Sequence, residues 1–202
     1  MTWRRLMAVD PSLTCSGWAF FEVRSRKLVA VGKVRSLDPS QPLASRLADL
    51  QRKISGIMAD LEIGAEDYVI CEAPTTMRDP RAAIKVEQVR GIFEAVARMR
   101  LAQVPGRLNP RTVHHQVLGL VGKQLPRPEV KRVAVEVAHR LFAEPLSAIG
   151  FESTKPNLKR NQDIVDAMLL GHLGLTSLQS AEWAEMPPEE LFDRRLFRKT
   201  AS

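Results

Sequence analysis

An α/β fold, with a mixed five-stranded sheet flanked by helices, is what this chain predicts, and three observations predict it. The first is a pair of short apolar runs, residues 6–9 and 68–71, each ending at an acid, Asp10 and Glu72. The second is a long stretch of helical periodicity between those runs, long enough to carry the chain back across a sheet. The third is the order of elements: three strands, a helix, a strand, a helix, a short extended piece, then helices. That order fits a mixed sheet covered by helices on its faces.

Residues 6–9, 17–23 and 27–34 read as strands, with Arg24-Ser25-Arg26 as the tight turn between the second and third, which makes an antiparallel meander. From 43 to 61, Leu43, Leu47, Leu50, Ile54, Ile57 and Leu61 recur at helical spacing and form one buried stripe. Gly64 ends that helix, and residues 67–72 form the next strand. The helical crossover lets this strand lie parallel to the first and beside it. Asp10 and Glu72 then become neighbours at carboxyl ends, where open α/β sheets place their sites. Residues 80–101 predict an amphipathic helix through Ile84, Val89, Ile92, Phe93, Val96 and Met99, opened by Asp79 and Pro80. An extended piece at 107–109 follows, then a helix at 110–118, a loop through Pro128, a helix at 129–142, a loop to Arg160 and a helix at 161–175. Met186-Pro187-Pro188 breaks the chain, so the expected division is a domain at 1–180 and a basic amphipathic tail at 181–202. In the tail Leu191, Phe192, Leu196 and Phe197 stand among Arg194, Arg195, Arg198 and Lys199. Three fates are open to it: packing on the core, reaching nucleic acid, or moving freely.

With 202 residues, 45% of them hydrophobic, the chain can bury one core. No apolar stretch approaches the ~20 residues of a membrane helix, and Met1-Thr2-Trp3-Arg4-Arg5 leads straight into a strand, so no membrane association and a cytoplasmic location are expected. Cys15 and Cys71 lack metal-type spacing and read as reduced, packed thiols. The four histidines, His114, His115, His139 and His172, form no zinc-type cluster, which favours a hard cation held by oxygen. The oxygen donors would be Asp10, Glu72 and the pair Asp163 and Asp166, which three-residue spacing puts on one helix face. Acids gathered at buried strand ends repel one another unless a cation neutralises them. The net charge of +7 points to a polyanionic partner. The basic residues gather at Arg78, Arg81, Lys85 and Arg90, at Arg127, Lys131, Arg132 and Arg140, and at Lys155, Lys159 and Arg160.

Asp10-Pro11-Ser12-Leu13-Thr14-Cys15-Ser16-Gly17-Trp18-Ala19 resembles the opening D-P-G-L-x-x-T-G-[WY]-G of RuvC-type Holliday junction resolvases, members of the ribonuclease H-like nuclease superfamily. Glu72 follows an apolar strand as the family's second acid does. Glu87-Gln88-Val89-Arg90-Gly91 resembles its Q-x-R-G helix, and Asp163-Ile164-Val165-Asp166-Ala167 its D-x-x-D-A. The run from Pro110 to Gly119 is similar to its P-x-x-V-K-x-x-V-x-G. The resemblance spans residues 4–176 and implies a ribonuclease H-like fold with Asp10, Glu72, Asp163 and Asp166 binding two Mg²⁺ or Mn²⁺ ions. It further implies a homodimer that cuts four-way DNA junctions by paired nicks, with the helix around Gln88 and Arg90 at or near the dimer contact. Arg78, Arg81, Lys85, His114, Lys123, Lys131 and Lys159 are the candidate DNA contacts.

Departures from the family pattern are specific. His114 stands where the family commonly has a lysine, a role that is then lost, kept by His114, or moved to Lys123 or Lys131. Ala73-Pro74-Thr75-Thr76 lacks the aromatic wedge many members place after the second acid, and Ser12 and Ser16 replace motif residues. These departures leave a second reading open: a structure-selective nuclease acting on branched DNA, forks or RNA, including a phage version that debranches DNA. A two-domain ATP-binding fold of the actin type needs more chain than this. A non-catalytic DNA-binding module would have no use for four acids.

Overall fold

The computed structural model describes residues 4–74, 79–120 and 125–192. The elements are β1 (Arg5–Asp10), β2 (Cys15–Glu22), β3 (Leu28–Arg35), α1 (Leu43–Asp60), β4 (Asp67–Glu72), α2 (Pro80–Met99), β5 (Arg107–Leu108), α3 (Pro110–Gln116), α4 (Arg127–Ala148), α5 (Lys155–Arg160), α6 (Gln162–Trp183) and α7 (Pro188–Phe192). The sheet order is β3-β2-β1-β4-β5. β1, β2 and β3 pair antiparallel, while β4 lies parallel to β1 and β5 parallel to β4. The expected meander, helical crossover and mixed five-stranded sheet are all present.

Strand alternation divides the core into two layers. Leu6, Ala8, Ala19, Phe21, Tyr68 and Ile70 face α6, with α4 packed behind it. Met7, Val9, Trp18, Phe20, Val69 and Cys71 face the opposite way, towards α1 and α2. Helix α6 is buried on most of its circumference, as a central helix must be. It approaches the sheet closely because Gly171 and Gly174 lie on its sheet-facing side. A Cβ at Gly171 would run into the Phe21 ring, and one at Gly174 into Ile70 and Leu6.

Some boundaries differ from expectation. β2 starts at Cys15 and β1 includes Asp10, which lies opposite Gly17 in the ladder. Helix α4 continues past Phe142 and through Pro145 to Ala148. Pro145 has no N–H for the Leu141 carbonyl, and the helix still closes one more turn, with the Ile149 N–H donating to the Pro145 carbonyl. The stretch read as loop before Arg160 contains the short helix α5, which has a proline in its first turn. Helix α6 runs on to Trp183, and α7 brings Phe192 into the core against Gly106, whose φ is 149°. The tail is thus packed on the core as far as 192, while Arg194, Arg195, Leu196, Phe197, Arg198 and Lys199 lie outside the described residues.

Candidate active site

Asp10 has the same parity as Leu6 and Ala8, and Glu72 the same as Tyr68 and Ile70, so both carboxylates leave the sheet on the α6 side. The register Val9↔Cys71 puts the two acids side by side at the ends of parallel strands. Asp163 and Asp166 occupy the first turns of α6. Gly17 joins the two pairs: it lies opposite Asp10, and a Cβ there would overlap the main-chain carbonyl of Asp163. Backbone therefore rests on backbone where the helix begins. The turn after Asp10 is tied by the buried Ser16, whose Oγ accepts from the Ser12 N–H at 2.8 Å and donates to the Ser12 carbonyl at 2.9 Å. The Ser16 hydroxyl thus closes the turn through the main chain of residue 12, while the Ser12 hydroxyl accepts from the Thr14 N–H at 3.4 Å.

The acids perturb one another. Burial, then Glu72, Asp166 and Asp163, push the Asp10 carboxyl well above its usual range, with Arg90 opposing. Burial and Asp166 push Glu72 up to about 7, again against Arg90. Asp166 rises to about 6, chiefly through burial, with Asp163 adding. It is offset first by the hydrogen bond from Gln162 Nε2 at 2.9 Å and then by Lys131 and Arg127. Positive charge is undersupplied at this point, and the donors are carboxylate oxygens, a combination that suits a hard divalent cation. Among the described residues no three His, Cys, Asp or Glu side chains converge closely enough to hold a metal ion, so the structure brings the four acids into one region but not onto one point.

Two groups near the acids do something different from what sequence suggests. Arg90, grouped above with surface cations that attract phosphate, is only 2% exposed. Its Nε donates to the Glu72 carbonyl at 2.6 Å and it pairs with Glu87. Arg107 bonds Glu94 at 2.6 and 3.0 Å and Glu87 at 3.2 Å, bracing α2 against β5 beside the end of β4. Lys33 on β3, absent from the candidates, has its Nζ 3.8 Å from Asp163 Oδ2. The signal for it was strand alternation, which puts Lys33 on the same face as Val31, but the position of α6 was needed to see what lies there.

Of the other candidates, Lys131 and Arg127 at the start of α4 act on Asp166. Arg81 and Lys85 are exposed on the first turns of α2, and Lys159 is exposed on α5. His114 is half-buried, and burial lowers its pKa, making it a weaker cation than a lysine. Arg78 and Lys123 lie outside the described residues, as do Thr75 and Thr76. Cys15 and Cys71 are free thiols held protonated chiefly by burial, as expected of packed cysteines. His172 meets Phe142 edge-on at 6.1 Å between ring centroids and is no part of the site.

Comparison with known proteins places this arrangement. Residues 6–137 match the family model for crossover junction endodeoxyribonuclease RuvC. A relative of that name from Rhodopseudomonas palustris (strain BisA53) is 28% identical over 167 residues, covering 72% of this chain and 94% of its own. One from Rhodospirillum rubrum is 33% identical over 123 residues, covering 58% of this chain and 68% of its own. Among solved structures, Thermus thermophilus RuvC in complex with Holliday junction substrate aligns with a TM-score of 0.61 at 18% identity, over 91% of this chain and 98% of that one. With the family model covering Asp10 and Glu72 and the fold shared through the helix that carries Asp163 and Asp166, the chain belongs to the RuvC family.

Proposed function

We propose that this protein is a metal-dependent endonuclease that resolves four-way DNA junctions by paired phosphodiester hydrolysis. The observation that carries the proposal is the placement of Asp10 and Glu72 side by side at two parallel strand ends with Asp163 and Asp166 at the start of the helix packed over them, a crowding that lifts the Asp10, Glu72 and Asp166 carboxyls. Asp10, Glu72, Asp163 and Asp166 would hold two Mg²⁺ or Mn²⁺ ions, Asp10 being the carboxylate on which the other three all act. Bound there, the ions would supply an activated water and stabilise the departing 3′ oxygen. The chain's own residues prepare this. Gln162 orients the Asp166 carboxylate, and Arg90 holds the main chain of Glu72 so that its side chain leaves towards α6. Burial and Asp166 push the Glu72 carboxyl up to about 7, so its ionised form, the one that would hold a cation, is favoured only above that pH.

Lys131, together with Arg81, Lys85, His114, Lys159, Arg78 and Lys123, is the proposed DNA-contacting set. Two symmetric cuts call for two copies, and the outer face of α2 suits a second copy: Ile84 is 60% and Met99 79% exposed, with Gln88 and Gly91 between them. The proposed organisation keeps a nuclease body over 1–180 and an appended tail over 181–202. No helix among the described residues is long and apolar enough to cross a membrane, and a cytoplasmic location is proposed.

The test is a substrate panel of four-way junction, fork, duplex, single strand and RNA–DNA hybrid, each with Mg²⁺, Mn²⁺ or EDTA. Symmetric paired nicks confined to the junction are the expected result. Equal cutting of forks or hybrid would replace this reading with a broader structure-selective nuclease. Binding in EDTA without cleavage in either metal would leave a non-catalytic module.

A further inference from the structure

The acid cluster meets cations from two elements. Arg127 and Lys131, a turn apart on α4, act on Asp166. The edge strand β3 supplies a second group, where alternation brings Val31, Lys33 and Arg35 to the α6 face. The Lys33 side chain is 16% exposed, and its Nζ is 3.8 Å from Asp163 Oδ2, a separation that is ionic but too long for a hydrogen bond. Its three donors are therefore not fixed by that pair. Arg35 pairs in register with Cys15, and its guanidinium acts on the Cys15 thiol, which Asp163 also contacts. Beside them opens a cavity of about 660 Å³ bordered by Lys33, Arg35, Lys53, Asp60 and Asn161. Lys53 is already engaged, donating to the Arg35 carbonyl at 2.8 Å and pairing with Asp49 at 2.6 Å. Lys33 and Arg35 are the cations left to meet a ligand from this side.

We propose that Lys33 and Arg35 form a phosphate-binding subsite on the β3 flank of the acid cluster, gripping the DNA backbone next to the phosphate that is cut. The inference rests on the nuclease reading and deepens it. A strand whose scissile phosphate lies over four carboxylates must leave them on both sides, and repulsion from those acids is least where cations flank the path. Arg127 and Lys131 serve one exit, and Lys33 with Arg35 serves the other. The subsite is made by residues from an edge strand, so it is open to a continuous polymer and not only to a small anion.

The experiment measures binding of a fluorescently labelled four-way junction in EDTA, so that no cleavage intervenes, over a series of salt concentrations. Lys33→Met is expected to bind roughly three- to tenfold more weakly at low salt and to lower the salt slope by about one counterion. Arg35→Gln, at an exposed position, should do the same, Lys33→Arg should restore most of the affinity, and Arg24→Gln, in the turn at the far end of β3, should match the wild type. Thermal melting checks that each variant is folded. The decisive comparison repeats Lys33→Met in an Asp163→Asn background. A loss that persists there supports a direct phosphate contact. A loss that vanishes overturns the proposal, because Lys33 would then act only by neutralising Asp163. Wild-type affinity and salt slope in both Lys33→Met and Arg35→Gln would overturn it as well. Failure of the wild type to bind or cut the junction would instead sink the nuclease reading itself.

Discussion

The two central strands, β1 and β4, carry ionisable side chains at both ends, and the two ends are built oppositely. At the amino ends Arg5 lies beside Asp67, giving it Nε and NH2 hydrogen bonds of 2.9 and 2.7 Å. The remaining capacity is also filled: Arg5 donates to the Leu61 and Glu62 carbonyls, and Asp67 accepts from the Gly64 N–H at 3.0 Å. The guanidinium carbon lies 5.1 Å from the centre of the Phe20 ring, closing that end. At the carboxyl ends the neighbours are Asp10 and Glu72, both acids, and burial with mutual repulsion lifts both carboxyls. A compensated pair is a structural clamp, whereas uncompensated like charges persist only where something from outside completes them. The same two strands thus separate holding the fold from doing the chemistry.

The largest effect that would test this separation is on catalysis. Asp10→Asn should lower junction cleavage by on the order of a thousandfold or more while circular dichroism and junction binding stay near wild type. Full cleavage by that variant would break the assignment of the carboxyl end. At the other end Asp67→Asn should leave Mn²⁺ binding, measured by calorimetry, unchanged but reduce stability in urea by ~1–3 kcal/mol. Weakened metal binding in Asp67→Asn would mean the two ends are not independent.

The smallest effect is a pH dependence. Glu72 has a folded-state pKa of about 7 against an ordinary 4.5, so its contribution to stability is fully present below about 4.5 and is lost as pH rises through about 7. Asp166, at about 6, acts in the same direction. Metal-free Glu72→Gln should therefore melt roughly 2–4 °C above the wild type at pH 8 and lose that advantage at pH 4.5. Parallel melting curves across the whole range would show that the acids are not held in strain.

Much of this architecture was legible because it depends on short-range pattern and on the geometry of crossovers. Two apolar runs joined through a helix can lie parallel and adjacent, which is enough to bring Asp10 and Glu72 together. Three-residue spacing is enough to align Asp163 with Asp166. What stayed hidden depends on which element covers which face. Arg90 looks like its surface neighbours Arg81 and Lys85, and only the docking of α2 against the end of β4 turns it inward to a main-chain carbonyl. Lys33 looks like any polar residue on an edge strand until the start of α6 is laid across that strand's end. The helix expected to end at Phe142 continues through Pro145, which forgoes the bond to the Leu141 carbonyl, and closes one turn later with the Ile149 N–H on the Pro145 carbonyl.

The glycines at 17, 171 and 174 give the seam between α6 and the sheet an unusual mechanical character. Ordinary core contacts are made by side chains that can change rotamer, so small errors are absorbed locally. At 17 strand backbone meets helix backbone, and at 171 and 174 helix backbone meets the Phe21, Ile70 and Leu6 side chains, so at least one side of each contact has no such slack. The spacing between the strand-borne and helix-borne donors is then a hard stop, and one added methyl group at 17 would tilt a rigid rod at the end that carries half of them. Tolerance in the reactive geometry is thus set by positions that have no chemistry of their own.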